Sequence, residues 1–450
     1  MEHPQLALSL PLLGHLRPAP DPRRNSCWLL GCETLDRDFA DFQQYKAYLP
    51  ALGIPLLRLQ AGWAKTEKTP GTYDFQWLDT IVDDAGELGL QCLLETDYGN
   101  PVYPGGGDPS LAGGFPTSTE ALEAWDRWVR ALALHFRGRV QEWAMWNEPD
   151  IVRGRTPEEI VEFNIRTARI LRDALPPEAK ISGLSLAHSG EQFFQECLWA
   201  LKDRKGDDLF DSYTYHGYKY NPDAAADAGL RLKKILADNQ VRGTLRQGEN
   251  GCPSEKTVKF ALKDHPWTEF TQAKWDLRRF LRDYCDGVQS CVFTICDFNH
   301  IGREINRKGL LMADEQHRVL RPKMAYDAIR HLTTVFNDQW ERQIGRGAIR
   351  KDTEACLYTF AHRESRMPLL AFWDRSQTPT DQTRPEEADI LLRNTPLPPR
   401  PVLLDLLSGR VFAFPREKAH PLGECLLLEK VPCTDSPLLL GDASSFPLAP

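Results

Sequence analysis

Two glutamates stand in contexts that suit acid–base chemistry. Glu148 follows an apolar run, Val140 to Trp146, and is separated from it by Asn147 and followed by Pro149. The run reads as a buried strand, and the proline ends it because proline cannot donate to a sheet ladder. A carboxyl group just past a parallel strand lies where α/β barrels carry out chemistry. Apolar rings around such a group favour the neutral acid, so we expect a general acid here; an ordinary strand end facing water is the alternative.

The second glutamate, Glu249, follows the strand predicted at residues 243–247. Two carboxyl groups with different proton affinities can cleave a bond to a sugar: one protonates the leaving oxygen, and the other attacks the anomeric carbon or positions water. Arg58, near the end of another predicted strand, would keep a nearby carboxylate ionised. We therefore interpret Glu148 as the acid and Glu249 as the ionised partner.

Further candidates follow the other predicted strands. His216 and Tyr218 lie two residues apart, so both project to one face of their strand, where Tyr218 could donate to the nucleophile and His216 could hold a sugar hydroxyl. The full set of candidate binding residues is Glu33, Arg58, Trp63, Asn100, Asn147, His216, Tyr218 and Asp297. Each has a structural alternative: an internal ion pair for Arg58, a core position for Trp63 or His216, and a solvated acidic loop for Glu33.

Strand and helix patterns alternate eight times along residues 23–338. The predicted strands span residues 27–32, 54–59, 90–95, 140–146, 179–186, 209–215, 243–247 and 288–295, and amphipathic helices separate them. One such helix is predicted at residues 38–52, and another is headed by Thr156. This pattern predicts a (β/α)₈ barrel. A doubly wound sheet is the rival fold, but no Gly-x-Gly-x-x-Gly follows the first strand.

The pattern changes after residue 338. Short strands separated by turn residues, including Ser408-Gly409, predict a small antiparallel β-sandwich over residues 339–450. Residues 1–22 contain a strand candidate at Leu6–Leu10 and a proline-rich linker from Pro18 to Pro22. We expect this N-terminal strand to join the sandwich and tie the two chain ends together.

Composition narrows the function classes. The 450-residue chain carries 55 basic and 63 acidic residues, a net charge of −8, and no basic run, which argues against nucleic acid or anionic membranes as partners.

Its eleven cysteines form no Cys-x-x-Cys pair, so buried thiols in a reducing compartment are favoured over zinc or disulfides. The start, Met1 to Pro4, lacks a basic region, the apolar run from Leu6 is broken by Pro11, and no apolar run could cross a membrane. We therefore predict a cytoplasmic protein.

Trp146-Asn147-Glu148-Pro149 resembles the acid/base signature of the retaining glycoside hydrolases of clan A. Arg58, His216-Gly217-Tyr218 and Glu249 extend the resemblance over most of residues 27–336. Tyr98-Gly99-Asn100-Pro101 and the C-terminal sandwich are similar to the β-xylosidase and α-L-iduronidase group, or to a separate family of the clan. The resemblance implies a barrel with Glu148 as acid/base, Glu249 as nucleophile and Asn147 at the sugar 2-hydroxyl, and it implies no metal or cofactor.

Two sequence features depart from that group. Clan members often carry a tryptophan at the end of strand eight, where this chain has Ile295-Cys296-Asp297-Phe298, so Phe298 is the candidate replacement. The strand-seven motif, Gln247 to Gly251, does not match the β-xylosidase pattern closely.

The function predicted from the sequence is retaining hydrolysis of a glycosidic bond. We expect a β-linked substrate and exo action, since the glycine-rich loop at residues 104–114 could close one end of the site. One alternative is a catalytically silent carbohydrate-binding protein on the same fold. Another is a metal-dependent hydrolase using His188, His216 and Asp297, although their spacing gives no ligand signature.

Overall fold

The eight predicted strands close into a parallel barrel in the computed structural model, which describes residues 6, 8–18, 27–300 and 304–449. A short strand, β1 (Leu12–Leu16), precedes the barrel. The barrel strands are β2 (Trp28–Gly31), β3 (Leu56–Gln60), β4 (Gln91–Glu95), β5 (Glu142–Ala144), β6 (Lys180–Leu186), β7 (Ser212–Tyr215), β8 (Thr244–Asn250) and β9 (Gln289–Val292). Each pairs in parallel with its sequence neighbour, and β9 closes on β2. The predicted fold class is confirmed.

Helices connect the barrel strands and cover them. They are α1 (Phe42–Tyr45), α2 (Trp63–Thr66), α3 (Gln76–Glu87), α4 (Thr119–Phe136), α5 (Pro157–Ala174), α6 (Glu191–Asp203), α7 (Pro222–Asp238), α8 (Glu269–Asp286) and α9 (Met324–Val335). Thr156 caps α5 in a capping box with Glu159. The single helix predicted at residues 38–52 is wrong: α1 is followed by two 3₁₀ turns, because Pro50 cannot donate the hydrogen bond that a continuing α-helix requires.

The barrel interior is layered. Leu29, Leu56, Leu93, Ala144 and Cys291, from five strands, form a buried apolar cluster. Side chains two residues further along a strand point to the same side. On β3 and β4 those positions hold Arg58 and Glu95, both buried. The strand period therefore stacks a charged layer directly above the apolar one, toward the carboxyl ends of the strands.

The C-terminal region forms two antiparallel sheets. Its strands are β14 (Trp340–Arg342), β15 (Gly347–Arg350), β16 (Ala355–His362), β17 (Pro368–Asp374), β18 (Glu386–Arg393), β19 (Pro401–Asp405), β20 (Arg410–Ala413), β21 (Ala419–Leu422), β22 (Cys425–Cys433), β23 (Leu438–Asp442) and β24 (Leu448–Ala449). The larger sheet has the order β14-β16-β17-β23-β19-β20-β1-β24, and the smaller has β15-β18-β22-β21. Leucines such as Leu370 and Leu440 from the larger sheet pack against Ile390 and Leu428 from the smaller one. The other face of the larger sheet shares the barrel's main hydrophobic core.

Two small hairpins follow the barrel before α9: β10 (Phe298–Asn299) with β11 (Ile305–Asn306), and β12 (Leu311–Ala313) with β13 (Val319–Pro322).

The N-terminal strand lies later than predicted. Residues 6 and 8–10 are not in a strand, whereas β1 pairs antiparallel with β20 and β24 inside the larger sheet. Leu6 is nevertheless buried in the sandwich core, which explains its apolar pattern without a strand. The linker prediction from Pro20 to Pro22 lies outside the described residues. The division of the chain after residues 22 and 338 stays a prediction. Among the described residues, no helix has the length and apolar character to cross a bilayer.

Candidate active site

Glu148 and Glu249 meet at the carboxyl end of the barrel. One oxygen of each carboxylate and one ring nitrogen of His216 all lie within 4.8 Å of one another. Glu148 follows β5, His216 follows β7, and Glu249 lies near the end of β8. Parallel strands in a closed barrel send their carboxyl ends to one face, so residues far apart in sequence converge there.

The backbone around Glu148 aims its side chain. Its φ angle is 49°, in the left-handed region that non-glycine residues seldom adopt. Its amide donates to the Ser185 carbonyl (2.9 Å), and a 3₁₀ turn, Pro149–Ile151, follows at once. Strained backbone of this kind persists where surrounding contacts hold it, and it clusters at functional sites.

Glu249 is held as an anion. Arg58 Nη1 donates to its Oε2 (2.9 Å), and the Tyr218 hydroxyl donates to its Oε1 (2.8 Å). Burial by itself would raise the pKa of Glu249, but His216, Arg58 and Tyr218 together hold that pKa below its ordinary value. This carboxylate is therefore ionised at neutral pH, as a nucleophile must be.

Arg58 is shared among several acceptors. Its guanidinium contacts Glu33 (2.6 Å), Glu95 (2.7 Å), Glu249 and the Asn147 side-chain oxygen (2.6 Å). Burial lowers the pKa of Arg58, but the three carboxylates raise it, and the pKa lies well above its ordinary value. One cation cannot fully compensate three anions: burial, opposed by Arg58, raises the pKa of Glu33 to about 7, and the pKa of Glu95 is also raised. The cluster therefore carries excess negative charge when all three carboxylates are ionised.

His216 bridges the two carboxylates. Its Nδ1 lies 2.8 Å from Glu148 Oε1 and 3.8 Å from Glu249 Oε2, and the ring is buried. Burial opposes a charge on the ring, but Glu249 and Glu148 raise the pKa of His216 above its ordinary value. The imidazole thus acts as a donor toward Glu148 and does not project freely into the cavity.

Asn147 is also buried, and its amide donates to the Tyr98 hydroxyl (2.8 Å) while accepting from Arg58. A side-chain amide has two N–H donors, so one remains for the predicted sugar contact.

A cavity of about 680 Å³ opens onto the two carboxylates. This lies within the usual range of small-ligand sites, roughly 300–1,000 Å³. Rings, apolar side chains and a few polar groups form its walls; they include Leu111, Glu148, Ile151, His188, Tyr218, Lys219, Tyr220, Glu249, Phe260, Leu262, Phe293, His300, Asn306 and Lys308. The shape and lining suit a small polar molecule with one apolar face.

Two predicted substrate contacts are wrong. Trp63 is fully buried among Trp125, Trp128 and Tyr103, and its ring nitrogen donates to Glu67, so it is a core side chain. Asn100 is buried too, and its amide donates to the Glu67 carbonyl while its oxygen accepts from Val102. Both shape the loops behind the cavity without lining it.

Asp297 and Phe298 also differ from expectation. Asp297 accepts from Lys323 (2.6 Å) and Arg307 (3.2 Å) in a buried ion pair, so it neither lines the cavity nor joins His188 and His216 as a metal ligand. Phe298 packs edge-on against Phe293, and it is Phe293 that lines the cavity at the end of β9.

Three site residues escaped sequence reasoning. Glu95 ends the third predicted strand and could have been found, because its position matches those of the other site residues. Lys308 and Phe260 lie in irregular segments after β9 and β8, where no period predicts which side chains face the barrel axis. They enter the cavity only through the folding of those loops.

The chain is similar to known proteins in sequence over a short segment and in fold over most of its length. The model of a glycoside hydrolase family described as beta-galactosidase matches residues 33–104. A family 39 glycoside hydrolase from Bacteroides cellulosilyticus WH2 superposes with a TM-score of 0.70 at 16% identity, over 95% of this chain and 82% of that one. A monomeric beta-xylosidase from Caulobacter crescentus CB15 gives 0.62 at 16%, over 94% and 97%. The GH39 enzyme from Xanthomonas axonopodis pv. citri gives 0.59 at 15%, over 96% of each chain.

No curated protein sequence matches the chain. At these identities the superpositions establish the fold alone: a parallel barrel followed by a C-terminal β-region. The resemblance stated from the sequence is confirmed at this level.

Proposed function

We propose that this protein is a retaining glycoside hydrolase. The observation that carries the proposal is the approach of the Glu148 and Glu249 carboxylates to within 4.8 Å at the base of the cavity. Retaining enzymes need their carboxyl groups about 5–5.5 Å apart, whereas inverting enzymes need about 6.5–9.5 Å to admit a water molecule. The glycosidase-like fold supports the same assignment.

In the first step, a Glu249 oxygen attacks the anomeric carbon while the glycosidic C–O bond breaks. The leaving oxygen takes its proton from Glu148, so an ester to Glu249 and a free alcohol result. In the second step, water attacks the same carbon, gives its proton to Glu148 and releases the Glu249 carboxylate. Arg58 and Tyr218 hold Glu249 in place, and His216 orients the Glu148 carboxyl through its Nδ1 contact.

We further propose exo action on a β-linked sugar. Leu111, from the glycine-rich loop, contributes to one wall of the cavity, which favours a pocket over an open cleft. Solved structures of similar fold include β-xylosidases, which supports a β-linked substrate for this chain. We also keep the proposal of a reducing compartment, since all eleven cysteines are free thiols.

A metal-dependent reaction at Glu148, His216 and Glu249 is less favoured. Glu148, His216 and Glu249 are the one group within the described ranges whose donor atoms could converge on an ion. However, Arg58 already donates to Glu249, and a second cation there would be repelled. Activity that survives a chelator supports the glycosidase; activity restored only by added metal contradicts it.

The test compares two variants on aryl glycosides. Glu249→Ala should lose about 10⁴-fold or more in kcat with every leaving group, because no covalent intermediate can form. Glu148→Ala should lose about 10²–10⁴-fold on substrates with a poor leaving group and far less on nitrophenyl glycosides, which need little protonation. Equal losses in the Glu148→Ala variant for both kinds of substrate would contradict the assignment. Sugar binding without turnover in the wild-type protein would instead favour the silent carbohydrate-binding alternative.

A further inference from the structure

Lysine ammonium groups buried in this protein are normally paired. Burying a charge is costly unless an opposite charge and hydrogen bonds compensate it. The pattern holds for the pairs Lys274 with Asp435 (2.7 Å), Lys323 with Asp297 (2.6 Å) and Lys351 with Asp374 (2.6 Å).

Lys308 breaks this pattern. Its side chain is buried, yet among the described residues its Nζ has one hydrogen-bond acceptor, the Ala261 carbonyl (2.8 Å), and no carboxylate within the 4 Å of an ion pair. The ammonium lies 5.7 Å from the centre of the Tyr218 ring and lines the cavity that holds the two catalytic carboxylates. The ammonium therefore keeps N–H donors that a ligand in the cavity could accept from.

The position of Lys308 is fixed by its backbone. Its amide donates to the Asn306 side chain (3.2 Å), and its carbonyl accepts from Gln272 (3.2 Å) and from the Thr294 amide (3.3 Å). Gly309, which follows, packs so closely on the backbone at Cys296 and Asp297 that no Cβ would fit. These contacts hold the lysine at the cavity wall and leave little freedom for it to swing into solvent.

An ammonium has three N–H donors, and the Ala261 carbonyl uses one. Burial lowers the pKa of Lys308 to about 8, opposed by Cys252, Glu249 and Glu148, so the group is still mostly protonated at neutral pH. His300, on the same cavity, stays neutral because burial lowers its pKa to about 4. Lys219 also lines the cavity but is partly exposed, so water can solvate its charge. Lys308 is therefore the cation here that gains most from an anionic ligand.

We infer that Lys308 binds an anionic substituent of the sugar, a carboxylate or a sulfate ester, and selects charged glycosides over neutral ones. The inference rests on the proposed glycosidase function and names its substrate class. A neutral hydroxyl could accept one hydrogen bond from Lys308, but only an anion also balances the buried charge.

The kinetic test uses 4-nitrophenyl hexosides, each compared with its uronide and its 6-O-sulfate. We expect the wild-type protein to prefer one anionic form over the neutral parent by at least about tenfold in kcat/KM, the equivalent of one charged hydrogen bond. The two anionic arms distinguish a carboxylate from a sulfate. In Lys308→Met this selectivity ratio should fall to about one, and Lys308→Arg should retain part of it. Lys219→Met is the matched control: it removes the same charge from the same cavity and should keep the ratio within about threefold.

Binding measured by calorimetry separates this inference from the proposed function. Free uronic acids and sugar sulfates should bind wild-type protein and not Lys308→Met. Such binding without turnover of any glycoside would support Lys308 and refute the glycosidase. Turnover that favours neutral glycosides, an equal loss of selectivity in Lys219→Met, or inorganic sulfate binding as tightly as the sugar acids would overturn the inference. Methionine is similar in length to lysine but carries no charge, so the Lys308→Met variant should melt at or above the wild-type temperature. A lower melting temperature would mean that groups within the protein already stabilise the Lys308 ammonium.

Discussion

Two buried charge networks in this protein have similar parts and different surroundings. In the barrel centre, one guanidinium, Arg58, contacts three carboxylates beneath an open cavity. Between the barrel and the sandwich one carboxylate is shared by two guanidiniums, because Asp223 on α7 accepts from Arg278 (2.6 Å) and Arg282 (3.4 Å) on α8. Arg282 also donates to Asp227 and Asp286. Trp373 on β17 also donates to Asp223 (3.1 Å), and Arg278 donates to the Gln377 carbonyl, so this network lies within the join between the two parts.

The difference shows that burial of charge is not in itself a sign of function. The Asp223 network is enclosed by protein and joins helices to the sandwich. The Arg58 network has more carboxylates than cations, and one of them, Glu249, faces a cavity large enough for a sugar. A surplus of negative charge at the wall of a cavity is the feature that indicates chemistry, since it can stabilise the positive charge of an oxocarbenium-like transition state.

Among variants that compare the two networks, the largest effect is expected from Arg58→Met. Three carboxylates would lose their common cation, so the pKa of Glu249 should rise and the nucleophile should lose its position. We expect kcat/KM to fall about 10²–10³-fold, as when one preorganised electrostatic contact is lost. Denaturant unfolding should show a loss of about 3–5 kcal/mol as well. Near wild-type activity in a folded variant would mean that Arg58 serves stability alone.

Arg278→Met tests the other network. Removing one partner of a buried pair should cost about 3–5 kcal/mol in the free energy of unfolding, because Asp223 loses a guanidinium that donates two hydrogen bonds to its Oδ2. The activity of the folded fraction should stay within about threefold of wild type. The measurement pairs urea unfolding with kinetics well below the melting temperature. A large loss of kcat without loss of stability would remove the distinction between the two networks.

The smallest effect is expected from Tyr218→Phe. Its hydroxyl donates to Glu249, and this hydrogen bond helps to lower the pKa of Glu249. Without it the pKa should rise, so the acidic limb of the kcat/KM profile should move up by about one pH unit, the equivalent of one hydrogen bond to a charged group. The value of kcat/KM at the pH optimum should fall about tenfold. In wild type the acidic limb should lie below about pH 4.3, the ordinary value for glutamate. An unchanged limb in the variant would contradict the role of Tyr218.

Much of the fold was predictable because its signals are local. The strand–helix alternation and the start of a helix at Thr156 depend on residues within a few positions of one another, and both are present in the structure. The exceptions have local causes too: Pro50 divides one predicted helix, and the N-terminal leucines proved to be core residues ahead of the strand β1.

The candidate site was predictable in part. Glu148, Glu249, Arg58 and Tyr218 could be named from their positions at or just after strand ends, and the barrel brings them together. Trp63 and Asn100 occupy similar sequence positions but turn away from the cavity, because the loops after β3 and β4 fold back toward Glu67. A strand period specifies direction only as far as the strand continues, and each of these residues lies beyond its strand end.

The sequence by itself determined the barrel, the C-terminal β-region and the pair of glutamates, because periodicity and turn residues act over short distances and a closed parallel barrel has only one carboxyl face. Only the tertiary structure decided which charges share Arg58, which ring lines the cavity after β9, and that Lys308 is buried without a carboxylate. Those features depend on how separate loops pack against one another, and packing among loops leaves no repeating pattern along the chain.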